Sequence, residues 1–254
     1  MKIDGLTAII TGGASGMGAA TARHLHTLGA RIALLDIDLS GAQKLADDIN
    51  GCAFECDITN EESLAQALSE IEKKLGSPRI CINCAGVVHS KRMVGAKGLM
   101  PLSEFRQVIS VNLFGSFNVM RLVSARMIDL SPLNNDGERG IIIHTASIAA
   151  FEGQIGQVAY SASKGGIVGL TLPAARELAQ FGIRVMTIAP GLVDTPMFAK
   201  IPPDARSALA ASVPFPKRLA KSEEYARLAQ QIIENPMLNG SVIRLDGGLR
   251  MAPK

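Results

Sequence analysis

The 254 residues, 47% of them hydrophobic, can bury one large core, so we expect a single domain over residues 1–254. Lysine and arginine number 26 against 23 aspartates and glutamates, and the net charge of +3 is spread without basic blocks, which predicts neither nucleic-acid nor membrane partners. No apolar run approaches the roughly 18 residues of a membrane span, and the first predicted strand leaves no room for a signal or transit peptide, so we expect a cytoplasmic protein.

A glycine-rich loop stands between the first predicted strand, residues 6–11, and a helical pattern that runs to about residue 28. Its glycines include Gly12, Gly16 and Gly18. Glycines let a backbone turn tightly and approach a pyrophosphate, and the N-terminus of the next helix offers free N–H groups and a positive dipole. The order of strand, loop and helix therefore predicts a dinucleotide site, although such loops also form ordinary turns.

Asp36 ends the second predicted strand, residues 31–36, at about the 20-residue spacing expected of a carboxylate that binds the adenosine ribose. The same charge repels a 2′-phosphate, and no arginine or lysine stands in the glycine loop or just after Asp36 to offset that repulsion. We therefore predict NAD(H) rather than NADP(H). The alternative is that Asp36 only caps a helix.

A βα rhythm continues, with helices predicted near residues 40–49 and 60–75 and strands at 52–56 and 79–83. This rhythm predicts an α/β fold with a parallel sheet, in which ligands bind beyond the carboxyl ends of the strands. Asp57 follows the third strand and is placed to meet the adenine or to cap the next helix. The fourth strand ends in a run of mostly small residues that lets a cofactor lie close to the backbone: Asn83, Cys84, Ala85 and Gly86.

The four cysteines, Cys52, Cys56, Cys81 and Cys84, form two closely spaced pairs that raise the question of a metal or redox site. Because side chains alternate between the two faces of a strand, Cys81 and Cys84 are expected to point apart. We therefore predict reduced structural thiols and no metal.

A basic loop, residues 88–101, precedes a long helix predicted at roughly 102–130. The loop carries Lys91, Arg92 and Lys97, which either meet phosphates of a bulky substrate or only face solvent. Asn112 lies inside the helix among apolar residues, where asparagine is a poor helix former and needs partners if buried. Two interpretations stay open: a satisfied core residue, or a side chain or distorted turn that binds a water in a proton path.

The segment from Ser147 to Lys164 contains the predicted reaction centre. Residues 140–146 read as a buried parallel strand, and the residues after Gly156 have helical composition, so Tyr160 and Lys164 share one helix face. An ammonium about 4 Å from the phenol could lower the pKa of the tyrosine from about 10 to about 7. The Ser147 hydroxyl could then hold the same substrate oxygen. The alternatives are a solvated Tyr–Lys pair and a serine that only caps a turn.

The remaining residues predict a strand at 183–189, a rigid loop at 190–196 able to face a nicotinamide, a helix near 222–234 and a strand at 241–246. The loop contains Pro190, Val193 and Thr195. A segment of about 192–220 has prolines, methionines and little periodicity, which is consistent with a substrate lid. Mid-helix Gly165, Gly166 and Gly169 each cost about 1 kcal/mol, so we expect close approach of another helix or the cofactor.

Together these motifs resemble the short-chain dehydrogenase/reductase family over essentially the full length. The resemblance is carried by residues 11–18, 83–86, Asn112, Ser147, Tyr160, Lys164, Pro190 and Gly191. It implies a Rossmann-type, doubly wound parallel sheet of about seven strands with helices on both faces. It also implies a catalytic tetrad: Tyr160 as acid/base, Ser147 orienting the substrate oxygen, Lys164 binding the nicotinamide ribose and lowering the pKa of Tyr160, and Asn112 holding a relay water.

Residues 145–157, 184–192, 213–216 and 232–240 resemble, within that family, the dehydrogenases of 3-hydroxyacyl-CoA. This likeness implies a homotetramer that interconverts short or branched 3-hydroxyacyl-CoA and 3-ketoacyl-CoA with NAD, Ser147 and Tyr160 contacting the substrate. Its cofactor contacts fall on Ser15, Met17, Asp36, Asp57, Ile58, Cys84, Tyr160, Lys164, Val193 and Thr195. His144 departs from the usual asparagine. A dehydrogenase of steroids or other secondary alcohols, and a nucleotide-binding scaffold or regulator, remain as alternatives.

Overall fold

The computed structural model describes residues 1–96, 98–196, 198 and 201–253. The helices and strands, in chain order, are β1 (Thr7–Thr11), α1 (Gly16–Thr27), β2 (Arg31–Asp36), α2 (Leu39–Asp48), β3 (Cys52–Glu55), α3 (Glu61–Leu75), β4 (Pro78–Asn83), β5 (Val94–Gly95), β6 (Gly98–Leu99), α4 (Leu102–Ile109), α5 (Ser116–Met127), β7 (Gly140–Thr145), α6 (Val158–Ala179), β8 (Ile183–Pro190), β9 (Val193–Asp194), α7 (Pro203–Ala211), β10 (Ala220–Lys221), α8 (Ser222–Glu234) and β11 (Val242–Leu245).

Seven of these strands form one parallel sheet in the order β11-β8-β7-β4-β1-β2-β3. The strand order reverses between β1 and β4, so the connections leave these two strands in opposite directions and open a crevice at their carboxyl ends. The predicted doubly wound sheet of the Rossmann type is confirmed. The crevice is where the glycine loop and residues 83–86 meet.

The central strands are apolar throughout because both faces of the sheet are covered. Every residue of β1, β7 and β8 is buried. Ile9 and Ile10, which are neighbours on β1, belong to two different hydrophobic clusters, one for each face. Fully burying an isoleucine side chain stabilises the fold by about 1.5–3 kcal/mol, so the two clusters hold the strand ends in fixed places.

The predicted long helix is interrupted. Between α4 and α5, residues Ser110–Gly115 form a π-helical turn, and this turn contains Asn112. The distorted backbone suggested by an asparagine inside an apolar helix is therefore confirmed. Contrary to expectation, Leu102–Met127 is long and apolar enough to cross a membrane by length and composition alone. Val119 and Val123 of this segment are fully buried in the core cluster of one sheet face, which accounts for the apolar composition.

Two segments expected to be irregular contain short elements. Residues 88–101 include the antiparallel pair β5 and β6, and the expected lid includes α7. Parallel pairing of β9 with β10 joins the two ends of that lid segment. Lys97, and residues 197, 199 and 200 of the lid, lie outside the described residues.

The four cysteines are free thiols. Cys81 belongs to the core cluster of one sheet face and Cys84 packs against the cluster of the other, so the prediction that they point apart is confirmed.

Candidate active site

A cavity of about 620 Å³ opens at the carboxyl ends of the strands. Almost all of the predicted site residues line it, although they are distributed over most of the chain. They are Gly12, Ser15, Gly16, Met17, Gly18, Asp36, Asp57, Ile58, Cys84, Ala85, Gly86, Ser147, Tyr160, Lys164, Pro190, Val193 and Thr195. Asn83 and Asn112 are the two predicted residues that do not line the cavity.

Two glycines of the loop, Gly12 and Gly18, have no room for a side chain. Gly12 has a φ of +64°, and a Cβ there would lie 2.7 Å from the backbone nitrogen of Ala85. A Cβ on Gly18 would collide with the carbonyl oxygen of Gly12. The helix that follows begins without a side-chain cap from Ser15 and without an acidic residue in its first turn. Its N–H groups therefore face the cavity ready to bind an anion such as a diphosphate.

Two carboxylates are held in fixed orientations at the rim. Asp36 accepts hydrogen bonds from the backbone N–H groups of Ala14 at 2.9 Å and Asp38 at 3.0 Å. The cap of α2 is Asp38, which accepts from Gly41 N, so the capping alternative for Asp36 is wrong. Asp57 accepts from the backbone N–H and the hydroxyl of Thr59, at 2.9 and 2.7 Å. Each carboxylate retains lone-pair capacity for a ligand, on both oxygens of Asp36 and on Oδ2 of Asp57.

The cavity suits a dinucleotide that lacks a 2′-phosphate. Among the described residues that line the cavity, Lys164 is the single cation. Its ammonium lies at the end of β7, whereas Asp36 lies at the end of β2, and strands β4 and β1 stand between them. The Asp36 charge is therefore not offset by a basic side chain of the lining. Uncapped helix N–H groups, side-chain-free glycines and a ribose-binding carboxylate together fit NAD.

Tyr160 and Lys164 lie one turn apart on α6, and Lys164 is fully within the protein. Its Nζ donates a hydrogen bond of 2.7 Å to the Thr145 carbonyl and lies 5.8 Å from the centre of the Tyr160 ring. Burial lowers the pKa of Lys164 to about 8, because the apolar surroundings disfavour the ammonium. The spacing-based prediction of a shared helix face is correct.

The predicted lowering of the Tyr160 pKa by Lys164 is wrong for this structure. Burial raises the pKa of the phenol, and hydrogen bonding by the Ser147 hydroxyl offsets only part of that rise. The reason is desolvation, which penalises a phenolate just as it penalises the ammonium of Lys164. Tyr160 is therefore protonated at neutral pH and is prepared to donate a proton.

Ser147 lies two residues after the end of β7 and is the N-cap of a 3₁₀ turn, Ile148–Ala150. Its Oγ accepts a hydrogen bond of 3.1 Å from the backbone N–H of Ala149. The capping interpretation is thus correct, and it does not exclude the functional one, since the same hydroxyl lines the cavity and retains its proton for donation.

Asn112 uses most of its hydrogen-bonding capacity within the protein. The amide is fully buried: Oδ1 accepts from Val87 N at 2.8 Å, and Nδ2 donates to Val87 O at 2.9 Å and to Ser163 Oγ at 3.0 Å. The side-chain version of the water-binding prediction gains no support, because both amide protons have protein acceptors and Asn112 does not line the cavity. The backbone of the π-helical turn is the remaining candidate to bind a water. The Asn112 side chain instead links the backbone of Val87 to Ser163 of α6.

Asn83 was predicted to bind the cofactor, but it does not line the cavity. Its side chain is 2% exposed and points into the sheet, where it meets Thr11 Oγ1 at 3.5 Å and His144 Nδ1 at 3.2 Å. Burial lowers the pKa of His144 to about 3, so this imidazole is neutral and contributes no charge beneath the site. Asn83 therefore supports the floor of the cavity instead of lining it.

Sequence reasoning missed several lining residues. They are Leu35, Ile37, Cys56, Thr59, Val87, Val88, Gln107, Ser110, Val111, Thr145 and Ala146, whereas Gly191, Pro196 and Phe198 belong to the predicted nicotinamide loop and lid. Most are neighbours of predicted residues at strand ends and could have been included by position. Gln107, Ser110 and Val111 come from α4 and the π-helical turn, and nothing in their pattern distinguishes them from other helix residues.

Comparison with known proteins agrees with this geometry. The sequence pattern of the family described as short chain dehydrogenase matches residues 6–206. The human 3-hydroxyacyl-CoA dehydrogenase type-2 is 53% identical over 256 residues, which cover 99% of this chain and 98% of the human one. The chain belongs to the short chain dehydrogenase family, and it is therefore an oxidoreductase.

Two solved structures are similar to the whole chain. A crystal structure of 3-hydroxyacyl-CoA dehydrogenase type-2 from Mycobacterium avium has a TM-score of 0.94 and 40% identity and covers 98% of both chains. A 3-ketoacyl-(acyl-carrier-protein) reductase from Brucella melitensis, complexed with NADH, has a TM-score of 0.87 and 28% identity and covers 97% of this chain and 98% of the other.

Proposed function

We propose that the protein is an NAD-dependent dehydrogenase that interconverts 3-hydroxyacyl-CoA and 3-ketoacyl-CoA. The observation that carries this proposal is the convergence of Ser147, Tyr160 and Lys164 on one cavity with the glycine loop and Asp36. The human and Mycobacterium avium relatives, which share their name and nearly their whole length with this chain, support the substrate class. The fixed carboxylate of Asp36 supports NAD over NADP, and the NADH in the Brucella melitensis relative agrees with that choice.

The roles of the side chains follow from their protonation. Bound NAD(H) supplies the hydride acceptor or donor. Tyr160, kept protonated by burial, gives its proton to the oxygen of a 3-keto group and takes it back in the reverse direction. The Ser147 hydroxyl holds the same oxygen and stabilises the charge that develops on it. Lys164 places its ammonium against the cofactor ribose, and the backbone of the π-helical turn around Asn112 holds the relay water.

Coenzyme A thioesters are proposed over other ketones because of the name that the human and Mycobacterium avium relatives share, so the decisive measurement compares substrates. Purified protein is mixed with NADH and acetoacetyl-CoA, a branched ketoacyl-CoA or a steroid ketone, and NADH oxidation is followed at 340 nm. We expect turnover of the thioesters, with NADPH at least tenfold less effective as the electron donor. Turnover of the steroid ketone alone would overturn the substrate class, and equal use of NADPH would overturn the cofactor choice.

Tyr160→Phe tests the acid/base role. General acid–base groups contribute about 10²–10⁴-fold, so we expect kcat to fall by that order while the Kd for NADH stays within about twofold. Ser161→Ala is the matched control, since it removes a hydroxyl from the next residue of the same helix, and that hydroxyl has no hydrogen-bond partner among the described residues. A Tyr160→Phe enzyme with the control's activity would refute the assignment. Retained biological function without turnover would favour a scaffold.

We also propose a homotetramer. Large apolar side chains are exposed in two regions: Phe114 and Phe117 near α5 with Val158 and Leu172 on α6, and Phe215 and Met237 near the β11 edge. A tetramer with dihedral symmetry needs two different two-fold interfaces, which two such regions supply. Gly165 and Gly169 of α6 would meet nothing within 4 Å if they carried a Cβ, so a neighbouring helix has room to approach.

The cytoplasmic location and the absence of nucleic-acid and membrane partners remain predictions from the sequence.

A further inference from the structure

Three side chains form a closed hydrogen-bonded group directly behind the Lys164 site. The hydroxyls of Thr145 and Tyr225 lie 2.7 Å apart, and the Cys84 thiol lies 3.7 Å from each of them. We call these residues the Cys84–Thr145–Tyr225 ring. Tyr225 is fully buried and comes from α8, whereas Cys84 and Thr145 stand at the carboxyl ends of β4 and β7.

The ring can satisfy each of its members. The Cys84 thiol donates to the Tyr225 oxygen, the Tyr225 hydroxyl donates to Thr145 Oγ1, and the Thr145 hydroxyl donates back to the Cys84 sulfur. Burial raises the pKa of both Cys84 and Tyr225, so all three groups stay neutral and keep the protons that this arrangement uses. Hydrogen bonds in a closed, buried group strengthen one another and favour one geometry.

Thr145 connects this ring to the reaction centre. Its hydroxyl belongs to the ring, and its carbonyl oxygen accepts the 2.7 Å hydrogen bond from Lys164 Nζ. Lys164 is 5% exposed, and no carboxylate lies within 4.0 Å of its ammonium among the described residues. The Thr145 carbonyl is therefore the protein acceptor on which the position of the ammonium depends.

We propose that Tyr225 and the Thr145 hydroxyl are positioning residues: they hold the end of β7 so that the Thr145 carbonyl keeps the Lys164 ammonium at the cofactor cavity. The inference rests on the proposed function for the chemistry that Lys164 assists. Tyr225 touches neither the cavity nor the reacting atoms, and it acts through Thr145 and Lys164. The ring also joins the ends of β4 and β7, the two strands whose following residues form the floor of the cavity.

Substitutions of one or two atoms test this role. Tyr225→Phe and Thr145→Val each remove a ring hydroxyl and preserve the volume of the core, and Thr145→Ser restores the hydroxyl. Thr171→Val is the matched control. It breaks another buried pair of hydroxyls at 2.7 Å, Thr171 with Thr187, and Thr171 lies on the same helix as Lys164 but outside the cavity. Each protein is measured for its melting temperature, its Kd for NADH by fluorescence, and kcat and KM as functions of pH.

For Tyr225→Phe and Thr145→Val we expect the Kd for NADH to rise and kcat to fall, each by up to about tenfold, which corresponds to one lost hydrogen bond. The pKa of Lys164, about 8 in the intact protein, should fall further when its acceptor is held less firmly. The inflection of the Kd against pH therefore moves to lower pH. Thr145→Ser should resemble the unsubstituted protein, and Thr171→Val should lower only the melting temperature.

The proposal is overturned if Tyr225→Phe and Thr145→Val keep the original Kd and pH profile, or if Thr171→Val changes them equally. Should Tyr225→Phe fail to fold, the comparison of Thr145→Val with Thr145→Ser decides the question. Failure of the proposed function is recognised separately, because a chain that does not reduce acetoacetyl-CoA still gives the Kd for NADH and its pH dependence.

Discussion

At the scale of single residues, the buried ammonium of Lys164 has a thermodynamic cost that the fold must offset. Desolvation lowers the pKa of the ammonium, the nearby Cys84 opposes this shift, and the Thr145 carbonyl accepts a hydrogen bond from Nζ. Such a group is retained at the expense of stability when its charge is needed for the reaction. The cost can be measured, because it depends on pH in a known direction.

Lys164→Met should be more stable than the unsubstituted protein at pH 7, and this difference in the free energy of unfolding should become smaller at higher pH. The folded-state pKa of Lys164, about 8, lies below the ordinary value of 10.5. Between these two values the unfolded chain binds more protons than the folded one, so the free energy of unfolding of the unsubstituted protein rises with pH. We expect an advantage of a few kcal/mol for Lys164→Met at pH 7, shrinking as the pH rises from about 8 to about 10.

Urea unfolding at a series of pH values measures that difference. The exposed Lys44 of α2 provides a control, since Lys44→Met removes the same charge from a solvated position. A difference between Lys164→Met and the unsubstituted protein that is constant from pH 7 to pH 10 would show that the charge of Lys164 carries no burial cost.

The residue pair also illustrates how far the sequence reaches. Spacing of four residues predicts that Tyr160 and Lys164 share a helix face, because helical periodicity is local. Their protonation depends on burial, which is set by elements far away in sequence, and so the direction of the Tyr160 pKa shift was predicted wrongly. The same limit applies to Asn112, whose amide is held by Val87 and Ser163, 25 and 51 residues away along the chain.

At the scale of elements, strands were easier to predict than the segments around the substrate. The apolar runs of β1, β7 and β8 are continuous because these strands are covered on both faces. By contrast, α7 has no buried residue among its nine, so the sequence lacks the apolar stripe that marks a helix. The two-residue strands β5 and β6 are too short for alternation to appear.

The end of α8 is anchored by one side chain of β8. Arg184 donates to the carbonyls of Ile232, Ile233, Asn235 and Leu238 and pairs at 2.8 Å with the Glu138 carboxylate. A helix leaves its last carbonyls without intrahelical partners, and this guanidinium satisfies two of them. Arg184 and Glu138 are 7% and 4% exposed, so the pair is a buried one.

Arg184→Ala should destabilise the fold by about 3–5 kcal/mol, because it removes the donor to one oxygen of the buried Glu138 carboxylate and the shared donor to several carbonyls. The control is Arg23→Ala, which breaks an exposed pair with Asp48 and should cost at most about 1 kcal/mol. Guanidinium unfolding gives both values. Equal losses of stability for the two substitutions would mean that the buried Arg184–Glu138 pair is no more important to the fold than an exposed pair.

At the scale of the whole molecule, the reversal of strand order explains why one cavity gathers residues from most of the chain. The carboxyl ends of all seven parallel strands lie at one edge of the sheet, and the crevice opens between β1 and β4. Helices cover both faces, so the surface that remains for association is the outer side of those helices and the two sheet edges, β11 and β3. The exposed apolar residues of α5 and α6 lie on this outer side.

Gly169→Leu should dissociate the proposed assembly without unfolding the chain. Gly169 is exposed and a Cβ there would meet nothing within 4 Å, and leucine is a better helix former than glycine by about 1 kcal/mol, so the melting temperature of the isolated chain should not fall. A leucine would instead occupy the space through which a second helix approaches. Light scattering after gel filtration should report four copies of the 26.8-kDa chain for the unsubstituted protein and fewer for Gly169→Leu.

Gln43→Leu places the same side chain on an exposed position of α2, away from α5 and α6, and should leave the mass unchanged. Loss of mass in both variants would indicate a general effect of an added leucine. An unchanged mass in both would mean that the open face of α6 is not an interface, and the exposed apolar side chains of α5 and α6 would then need another explanation. A fall in mass confined to Gly169→Leu identifies α6 as the helix through which the copies meet.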